Sequence, residues 1–431
     1  LRFDRVESLP GLVRRWQNPQ RPYPYVEEPV RFDGGAAGVS LAGTLTLPAG
    51  DGPHAALVLV TGSGPQGRDE LIAYHRPFLV LADHFTRHGI AVLRYDDRGV
   101  GESTGDFGAA TTLDLAADAR AAWVFLRNRT DIDPQRVFIV GHSEGGMIAP
   151  MVALEEREVA GAVLLAGPGI PIVDLMDLQY RLFSLAAGAT VPQADALASM
   201  YHVIHEVLNA ETDRITIYTR IQAHYDGLSD ADRALLGWSR SQLNTVIESR
   251  MTPWWRYFVA FDPVVYLSQI QVPILAVNGD ADLNVTAAEN LAGIDQTLRR
   301  AGKPIGLVRL DDLQLLRTVV VGQCLIGMGI GQMLALVQPQ PPQVPARGQI
   351  VRLFLGVGAD HEHRGIGPRC GEAVGRFKLV PIIFQHRRDD LRRDEMGERI
   401  GQPEMRRIGR ALIAGPEQPN LGRLRHGRRG T

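Results

Sequence analysis

From residue 40 onward, the sequence alternates between short apolar segments typical of strands and longer segments with helical spacing. Two of the intervening helices are predicted at residues 77–88 and 113–127, where apolar side chains recur every three or four positions. Strands that alternate with helices usually pair in parallel and are covered on both faces, so the pattern predicts a doubly wound α/β sheet. The predicted strands are residues 56–61, 90–95, 136–140, 161–166, 272–278 and 305–310.

The fourth and fifth predicted strands are separated by about a hundred residues, far more than a usual crossover needs. We therefore expect a helical cap inserted at residues 170–262. It ends in an aromatic segment, 253–258, which either packs the cap onto the sheet or contacts a ligand. The predicted division of the chain is an N-terminal extension (1–30), a first core segment (31–169), the cap (170–262), a second core segment (263–318) and a tail (319–431).

The charge distribution sets the tail apart from the rest of the chain. Residues 1–304 carry 26 basic against 36 acidic side chains, and residues 305–431 carry 20 against 12. The acidic part does not favour anionic substrates. Residues 319–345 are apolar and Gly-rich and then rich in Gln and Pro, and residues 386–431 are rich in Arg, Gly and Pro without helical or alternating periodicity. This composition predicts an atypical basic tail at 319–431, either disordered or frame-shifted. It also lacks interleaved aromatic residues and any recognised motif, so we do not expect nucleic-acid binding.

Other classes are excluded by simple counts. No apolar run approaches the roughly 20 residues that span a bilayer, so no membrane span is expected. Cys324 and Cys370 are too few for a disulfide framework or a four-thiolate metal site. The chain begins at Leu1 without a basic segment and apolar core, so any signal peptide is expected to be removed or upstream, and both a cytoplasmic and an exported bacterial protein remain open.

The strongest local motif is Gly-His-Ser-Glu-Gly at residues 141–145, directly after a predicted strand and before a helical segment. A G-x-S-x-G motif in this context is typical of a nucleophile elbow, in which a sharp turn raises the serine hydroxyl above the sheet. Ser143 is therefore the candidate nucleophile. The backbone N–H of Glu144, at the start of the helix, is a candidate oxyanion donor, and the N–H of Ser63 in the loop after the first core strand is the second.

A serine nucleophile needs a base, and the base needs an orienting acid. In this chain order the acid should follow a late strand, where Asp280 and Asp282 both occur. Asp282 is preferred because the segment leading into the next helix follows it at Val285. The alternative is that both carboxylates only cap that helix.

Five sequence blocks make residues 22–303 similar to serine α/β-hydrolases of the bacterial EstD type. The resemblance implies an α/β-hydrolase fold, carboxylesterase activity on short acyl esters without a cofactor, Ser143 as nucleophile and Asp282 as acid. The Asp-Asp-Arg-Gly turn at residues 96–99 belongs to the resemblance and is interpreted as structural. The matching blocks are PYPYVEEPVRF with AGTLTLP, TGSGPQGRDE, RPFLVLADHFTRHGIAVLRYDDRGVGEST, GHSEGG and VPILAVNGDADLNV.

The sequence departs from that family where the histidine should be, just after the last strand. Residues 311–318 contain none, which leads to the hypothesis that the reading frame or gene assembly changed there. Two tail histidines, His361 and His363, are candidate substitute bases. His-Glu-His at 361–363 without a third regularly spaced ligand does not predict a metal site. His142 is expected to point away from the serine and to pack.

These observations favour a serine hydrolase that cleaves short carboxylic esters of small molecules through an acyl-enzyme. Two alternatives stay open. The first is a catalytically impaired α/β-hydrolase that lacks its triad histidine and at most binds small acyl compounds. The second is a serine peptidase related to prolyl oligopeptidase, which is less favoured because the sequence does not lead us to expect an added propeller domain.

Overall fold

The computed structural model describes residues 18–72, 75–303 and 305–310. The strands of this part are β1 Val26–Asp33, β2 Ser40–Leu47, β3 His54–Val60, β4 Ile90–Tyr95, β5 Ile132–His142, β6 Ala162–Leu165, β7 Ile274–Gly279 and β8 Ile305–Leu310. The helices are α1 Pro77–Arg87, α2 Thr112–Arg127, α3 Glu144–Glu155, α4 Ile172–Ala186, α5 Val191–Ala210, α6 Arg214–Gly227, α7 Asp230–Leu236, α8 Arg240–Ser249, α9 Pro253–Val259, α10 Pro263–Leu267 and α11 Ala287–Arg300.

The eight strands form one sheet in the order β1-β2-β4-β3-β5-β6-β7-β8. The pairs β1/β2 and β2/β4 are antiparallel, and all other neighbours are parallel. The central strand β3 pairs with β4 on one side and β5 on the other, so the chain reverses its direction of winding there. This confirms the predicted doubly wound, mostly parallel α/β sheet. It also places a crevice at the carboxyl ends of β3 and β5, where ligands bind in folds of this class.

The parallel strands are apolar on both faces because helices cover both faces. Every residue of β4 and of β7 is buried. Helix α2 contributes Trp123, which is fully buried and donates its indole N–H to the carbonyl of Val137 in β5 at 3.1 Å. This bond fixes α2 against the strand that leads to residue 143.

The predicted strands at residues 90–95 and 305–310 match β4 and β8, and the other four lie within four residues of the observed bounds. Two strands, β1 and β2, were missed. Strand β1 starts at Val26, inside the segment predicted as an N-terminal extension, and only two of its eight residues are buried. Its weak apolar signal reflects its position at the edge of the sheet.

Seven helices, α4 to α10, lie between β6 and β7 and are called here the helical insertion (residues 172–267). Short polar residues define where several of them begin. Asp213, Ser229, Ser239 and Thr252 each accept a backbone N–H from the first turn of α6, α7, α8 and α9, respectively. Among the described residues, no helix is both long and apolar enough to cross a membrane.

Candidate active site

Ser143 occupies the turn between β5 and α3 with a φ of 52°, a left-handed conformation that is strained for a residue with a side chain. Its N–H donates to the carbonyl of Leu165 in β6 at 2.9 Å. Glycine is required on both sides. A Cβ on Gly141 would lie 1.8 Å from the carbonyl oxygen of Gly145, and one on Gly145 would lie 2.3 Å from that of Val60. The sequence spacing thus permits a turn that larger residues would block.

Ser143 lines a cavity of about 420 Å³ between the sheet and the helical insertion. The other three predicted site residues with described positions, Ser63, Glu144 and Asp282, line the same cavity. They follow β3, β5 and β7, whose carboxyl ends meet at one edge of the sheet. The candidate bases His361 and His363 lie outside the described residues, as do the predicted tail and the site of the hypothesised frame change.

Asp282 is buried, and its Oδ1 accepts the backbone N–H groups of Asn284 at 2.8 Å and Val285 at 3.1 Å. Burial raises the pKa of this carboxyl, and the two backbone bonds and the charge of His142 oppose that rise. Asp280 differs in its exposure and in its contacts. It is exposed, forms an ion pair with Arg309 at 3.8 Å and does not line the cavity. Of the two carboxylates, Asp282 is therefore the one that lines the cavity.

The Glu144 side chain connects three helices. Its Oε1 accepts the hydroxyl of Thr112 in α2 at 2.6 Å and the indole N–H of Trp254 in α9 at 2.9 Å. Burial raises the pKa of this carboxyl. The backbone N–H of Glu144 is at the first position of α3, where an amide has no acceptor within its own helix.

A buried carboxylate, Glu70, was not identified as a site residue from the sequence. Its Oε1 accepts the backbone N–H of Gly62 at 2.7 Å and also bonds Nδ1 of His142 at 2.7 Å. It therefore joins the loop after β3 to the residue that precedes Ser143. The only sequence signal was its place at the end of the TGSGPQGRDE block.

His142 is buried, as expected, but it makes a specific polar contact and lines the cavity. Burial opposes a charge on this imidazole. The charge of Glu70, the bond to it and the charge of Asp282 outweigh burial, so the pKa of His142 is raised. A raised pKa favours the imidazolium, which pairs with Glu70 and is less available to accept a proton.

The Asp-Asp-Arg-Gly turn after β4 contacts the loop after β3 and helix α2. Asp97 accepts the hydroxyl of Thr61 and the backbone N–H of Gln66, each at 2.9 Å, and so holds the loop that contains Ser63. Burial raises the pKa of Asp97 well above its usual value. Arg98 makes a two-point ion pair with Asp118 of α2, at 2.6 and 2.9 Å. These contacts agree with the structural role interpreted from the sequence.

The helical insertion supplies much of the cavity wall. The aromatic segment at 253–258 both packs and faces the cavity, so the two alternatives drawn from the sequence are not exclusive. The side chains from the insertion that line the cavity are Leu175, Met176, Gln179, Tyr180, Arg250, Trp254, Trp255 and Phe258. In the part of the chain that the structure describes, no three His, Cys, Asp or Glu side chains are grouped so as to hold a metal ion.

The known proteins that parts of this chain resemble include a hydrolase family, an esterase and an alpha/beta hydrolase domain-containing protein. The family model described as serine aminopeptidase, S33, matches residues 71–235. Esterase EstD of Thermotoga maritima is 36% identical over 154 residues, which are 36% of this chain and 37% of EstD. Human alpha/beta hydrolase domain-containing protein 17B is 40% identical over 77 residues, 18% of this chain and 25% of that protein. The chain thus spans less than two fifths of the length of each of these curated relatives.

Among solved structures, a Pyrococcus furiosus esterase aligns with a TM-score of 0.44 and 15% identity, over 77% of this chain and 92% of that one. The predicted resemblance to EstD-type α/β-hydrolases is confirmed over the matched segment. The chain is thus similar, over residues 71–235, to the hydrolase family described as serine aminopeptidase, S33, and its mostly parallel eight-stranded sheet has the α/β-hydrolase fold.

Proposed function

We propose that this protein is a serine hydrolase that cleaves short-chain carboxylic esters, with Ser143 as the nucleophile. The observation that carries the proposal is the left-handed φ of Ser143 in a turn between β5 and α3, at the wall of a cavity that Asp282 also lines. A strained strand-to-helix turn is the geometry that exposes a serine hydroxyl to a substrate. The resemblance to an esterase supports the same chemistry.

In the proposed reaction, the Ser143 hydroxyl oxygen forms a bond to the ester carbonyl carbon while its proton passes to a base. The oxyanion is stabilised by the backbone N–H groups of Ser63 and Glu144 and by the N-terminus of α3. The alkoxide leaves with the proton held by the base, which gives an acyl-serine and an alcohol. Water then attacks the acyl carbon, and the acid and free Ser143 are released.

Asp282 is proposed to orient that base. Two backbone N–H groups fix its Oδ1. Among the described residues its Oδ2 accepts no hydrogen bond, so that oxygen is free to bond the imidazole of a histidine. The candidates His361 and His363 remain predictions, because their positions are outside the described residues. His142, the one described histidine that lines the cavity, has its Nδ1 bound to Glu70.

The size and lining of the cavity set the proposed substrate range. A volume of about 420 Å³ is at the small end of ligand sites, and Leu175, Met176, Trp254 and Phe258 make part of its wall apolar. We therefore propose that the helical insertion is a cap that limits the acyl group to a short chain. Because the matching family is described as serine aminopeptidase, an amide substrate has to be tested beside an ester.

A second candidate is an impaired hydrolase that binds acyl compounds and turns them over poorly. It is favoured by one observation: residues 311–318, which directly follow β8, contain no histidine. Loss of the base from a serine triad costs several orders of magnitude in turnover but leaves the oxyanion donors in place.

The test compares the full chain, its Ser143→Ala variant and an exposed-serine control, Ser241→Ala, on p-nitrophenyl butyrate and alanine p-nitroanilide. We expect ester hydrolysis by the full chain and the control, none above background in Ser143→Ala, and less activity on the anilide. Equal rates well above background in Ser143→Ala and the full chain would overturn the assignment of Ser143, and equal rates at background would indicate the impaired hydrolase. Faster release from the anilide would indicate a peptidase.

A further inference from the structure

We propose that Arg250 makes this cavity selective for esters that carry a carboxylate in addition to the ester group being cleaved. The proposal rests on the proposed function and specifies its substrate class. It revises the sequence-based expectation that the acidic surface does not favour anionic substrates, because the part of the cavity wall formed by Arg250 carries a positive charge.

Arg250 follows the last residue of α8 and lines the same cavity as Ser143. No carboxylate of the described residues forms an ion pair with it. Its Nη1 donates to the hydroxyl of Ser249 at 2.9 Å, and its Nη2 donates to the hydroxyl of Tyr180 at 3.1 Å. Its Nε is buried and donates to no acceptor in the described part of the chain. Neutral hydroxyls leave the positive charge uncompensated, and a buried donor without an acceptor is unfavourable.

Aromatic rings hold the guanidinium group in place. Its central carbon lies 4.2 Å from the ring centroid of Trp255 and 5.6 Å from that of Tyr201. Tyr201 in turn stacks on Tyr180 with centroids 3.8 Å apart. These ring contacts leave the N–H groups at the edge of the planar guanidinium for hydrogen bonding, and such an edge can bind a carboxylate through two parallel hydrogen bonds. A role in packing alone explains the ring contacts but leaves the positive charge without a carboxylate partner among the described residues and Nε without an acceptor.

The acidic residues of the cavity are engaged elsewhere. Glu70 bonds Gly62 and His142, Glu144 bonds Thr112 and Trp254, and the Oδ1 of Asp282 bonds two backbone N–H groups. These three carboxyl groups belong to the part of the wall nearest the catalytic elements, so they repel a second carboxylate there. A substrate that places its ester at Ser143 can place its carboxylate on the insertion side of the cavity. There it pairs with Arg250 and avoids repulsion by the three carboxyl groups.

The test uses two esters that differ in charge and not in acyl length, p-nitrophenyl hexanoate and the mono-p-nitrophenyl ester of adipic acid. Three variants are compared with the full chain: Arg250→Met, Arg250→Lys and, as a control, Arg240→Met. Arg240 is an exposed arginine at the start of α8 that pairs with Asp226. Thermal unfolding of each variant verifies that it is folded.

We expect Arg250→Met to lower kcat/KM for the adipate ester at least about tenfold, with a change of less than about threefold for the hexanoate ester. Arg250→Lys should retain part of the preference because it keeps the charge and loses the planar fork. Arg240→Met should leave the ratio unchanged. An equal loss on both esters in a folded Arg250→Met variant, or an unchanged ratio, would overturn the proposal and leave Arg250 as a packing residue.

A binding experiment separates this outcome from a failure of the esterase proposal. Monomethyl adipate and dimethyl adipate are titrated into the Ser143→Ala variant by calorimetry, where no turnover is needed. We expect the monoanion to bind more tightly than the diester, and this difference to disappear in Ser143→Ala/Arg250→Met. Equal binding of the two compounds to Ser143→Ala, or no binding of the monoanion, would contradict the carboxylate site whatever the rates of hydrolysis.

Discussion

Glu70 has an unusual backbone for a buried acidic residue. Its φ is 50°, in the left-handed region that costs a side-chain-bearing residue about 1–2 kcal/mol, and its side chain is 1% exposed. Two hydrogen bonds to one carboxylate oxygen offset the strain. Glu70 Oε1 accepts the backbone N–H of Gly62 and bonds Nδ1 of His142, each at 2.7 Å. Both contacts border the cavity, so Glu70 is a positioning residue for the loop that contains Ser63 and for the turn that contains Ser143.

Replacing Glu70 by glutamine is expected to lower kcat about tenfold or more, with a smaller change in KM. The amide keeps the shape of the side chain but removes the charge that pairs with His142, so the proposed oxyanion donors Ser63 and Glu144 are held less firmly. The variant should also lose about 1–3 kcal/mol of unfolding free energy. Ester kinetics and urea unfolding measure the two effects.

A matched control is Glu158→Gln, which alters an exposed pair with Arg127. It should change stability by less than about 1 kcal/mol and leave kcat unchanged. A Glu70→Gln variant with normal kcat and normal stability would show that the carboxylate positions nothing. Retained stability with lost kcat would place its effect on the site alone.

At the scale of elements, the helical insertion contains a fully buried histidine, His205 of α5. Both of its ring nitrogens lack a hydrogen-bond partner within the described residues. Its ring lies near those of Tyr180, Tyr201 and Trp255, with centroids 5.8–6.1 Å away. Burial first, and then the charges of Arg250 and His202, lower the pKa of His205 to about 3.

The lowered pKa predicts that acid destabilises the insertion well above pH 3. In the unfolded chain a histidine takes up a proton near pH 6.5, while His205 in the fold stays neutral, so stability is present above pH 6.5 and is lost as pH falls toward 3. From pH 7 to pH 5 the loss is about 2 kcal/mol. A His205→Phe variant keeps the ring contacts and cannot titrate, so it should lose about 2 kcal/mol less over this interval.

Urea unfolding at pH 7 and pH 5 gives both values for each protein. His224→Phe, at an exposed position on α6, controls for the exchange of histidine for phenylalanine. Stability curves of His205→Phe and the unaltered chain that run parallel between the two pH values would show that His205 is not held neutral in the fold.

The elements themselves show which sequence signals are reliable. Strands β4 and β8 were predicted to the residue because short apolar runs are bounded by clear stops, such as Gly89 before β4. Strand β1 was missed because only two of its eight residues are buried, so its apolar pattern is weak. The helices of the insertion were expected only as a group, since polar residues such as Ser229 and Ser239 cap helices and also form turns.

The same contrast holds for the site. That Ser143, Glu144 and Asp282 lie together could be predicted because local sequence forms the turns that hold them. The places of Glu70 and Arg250 in the same cavity could not, because their contacts are made with partners far away in sequence. Glu70 is 72 residues from His142, and Arg250 is 70 residues from Tyr180. No local sequence pattern predicts contacts between residues so far apart in the chain.

At the scale of the whole molecule, the sheet order brings the site together. Ser63 and Ser143 follow β3 and β5, which are adjacent in the sheet and far apart in sequence. Asp282 follows β7, separated from β5 only by β6. The proposed nucleophile, oxyanion donors and acid are thus all assembled by the described sheet. The histidine that would complete them is the one component without a residue at its expected place, directly after β8.

This arrangement predicts that an added base restores chemistry. If residues 311–318 replace the triad histidine, the full chain should hydrolyse p-nitrophenyl butyrate slowly, and free imidazole should raise the rate about tenfold or more, in proportion to its concentration. Imidazole can reach a site whose other groups are in place, and proton transfer by a positioned base is typically worth 10²–10⁴-fold. The measurement is initial rate against imidazole concentration, with Ser143→Ala providing the background of imidazole acting alone in solution.

A fast rate that depends on Ser143 and does not respond to imidazole would contradict this prediction. It would mean that the chain supplies its own base, and His361→Ala and His363→Ala would then identify which histidine does so, because only loss of the true base should make the rate respond to imidazole. An imidazole effect of equal size in the full chain and in Ser143→Ala would instead count against the nucleophile, since the added base would then be acting on water and not on Ser143.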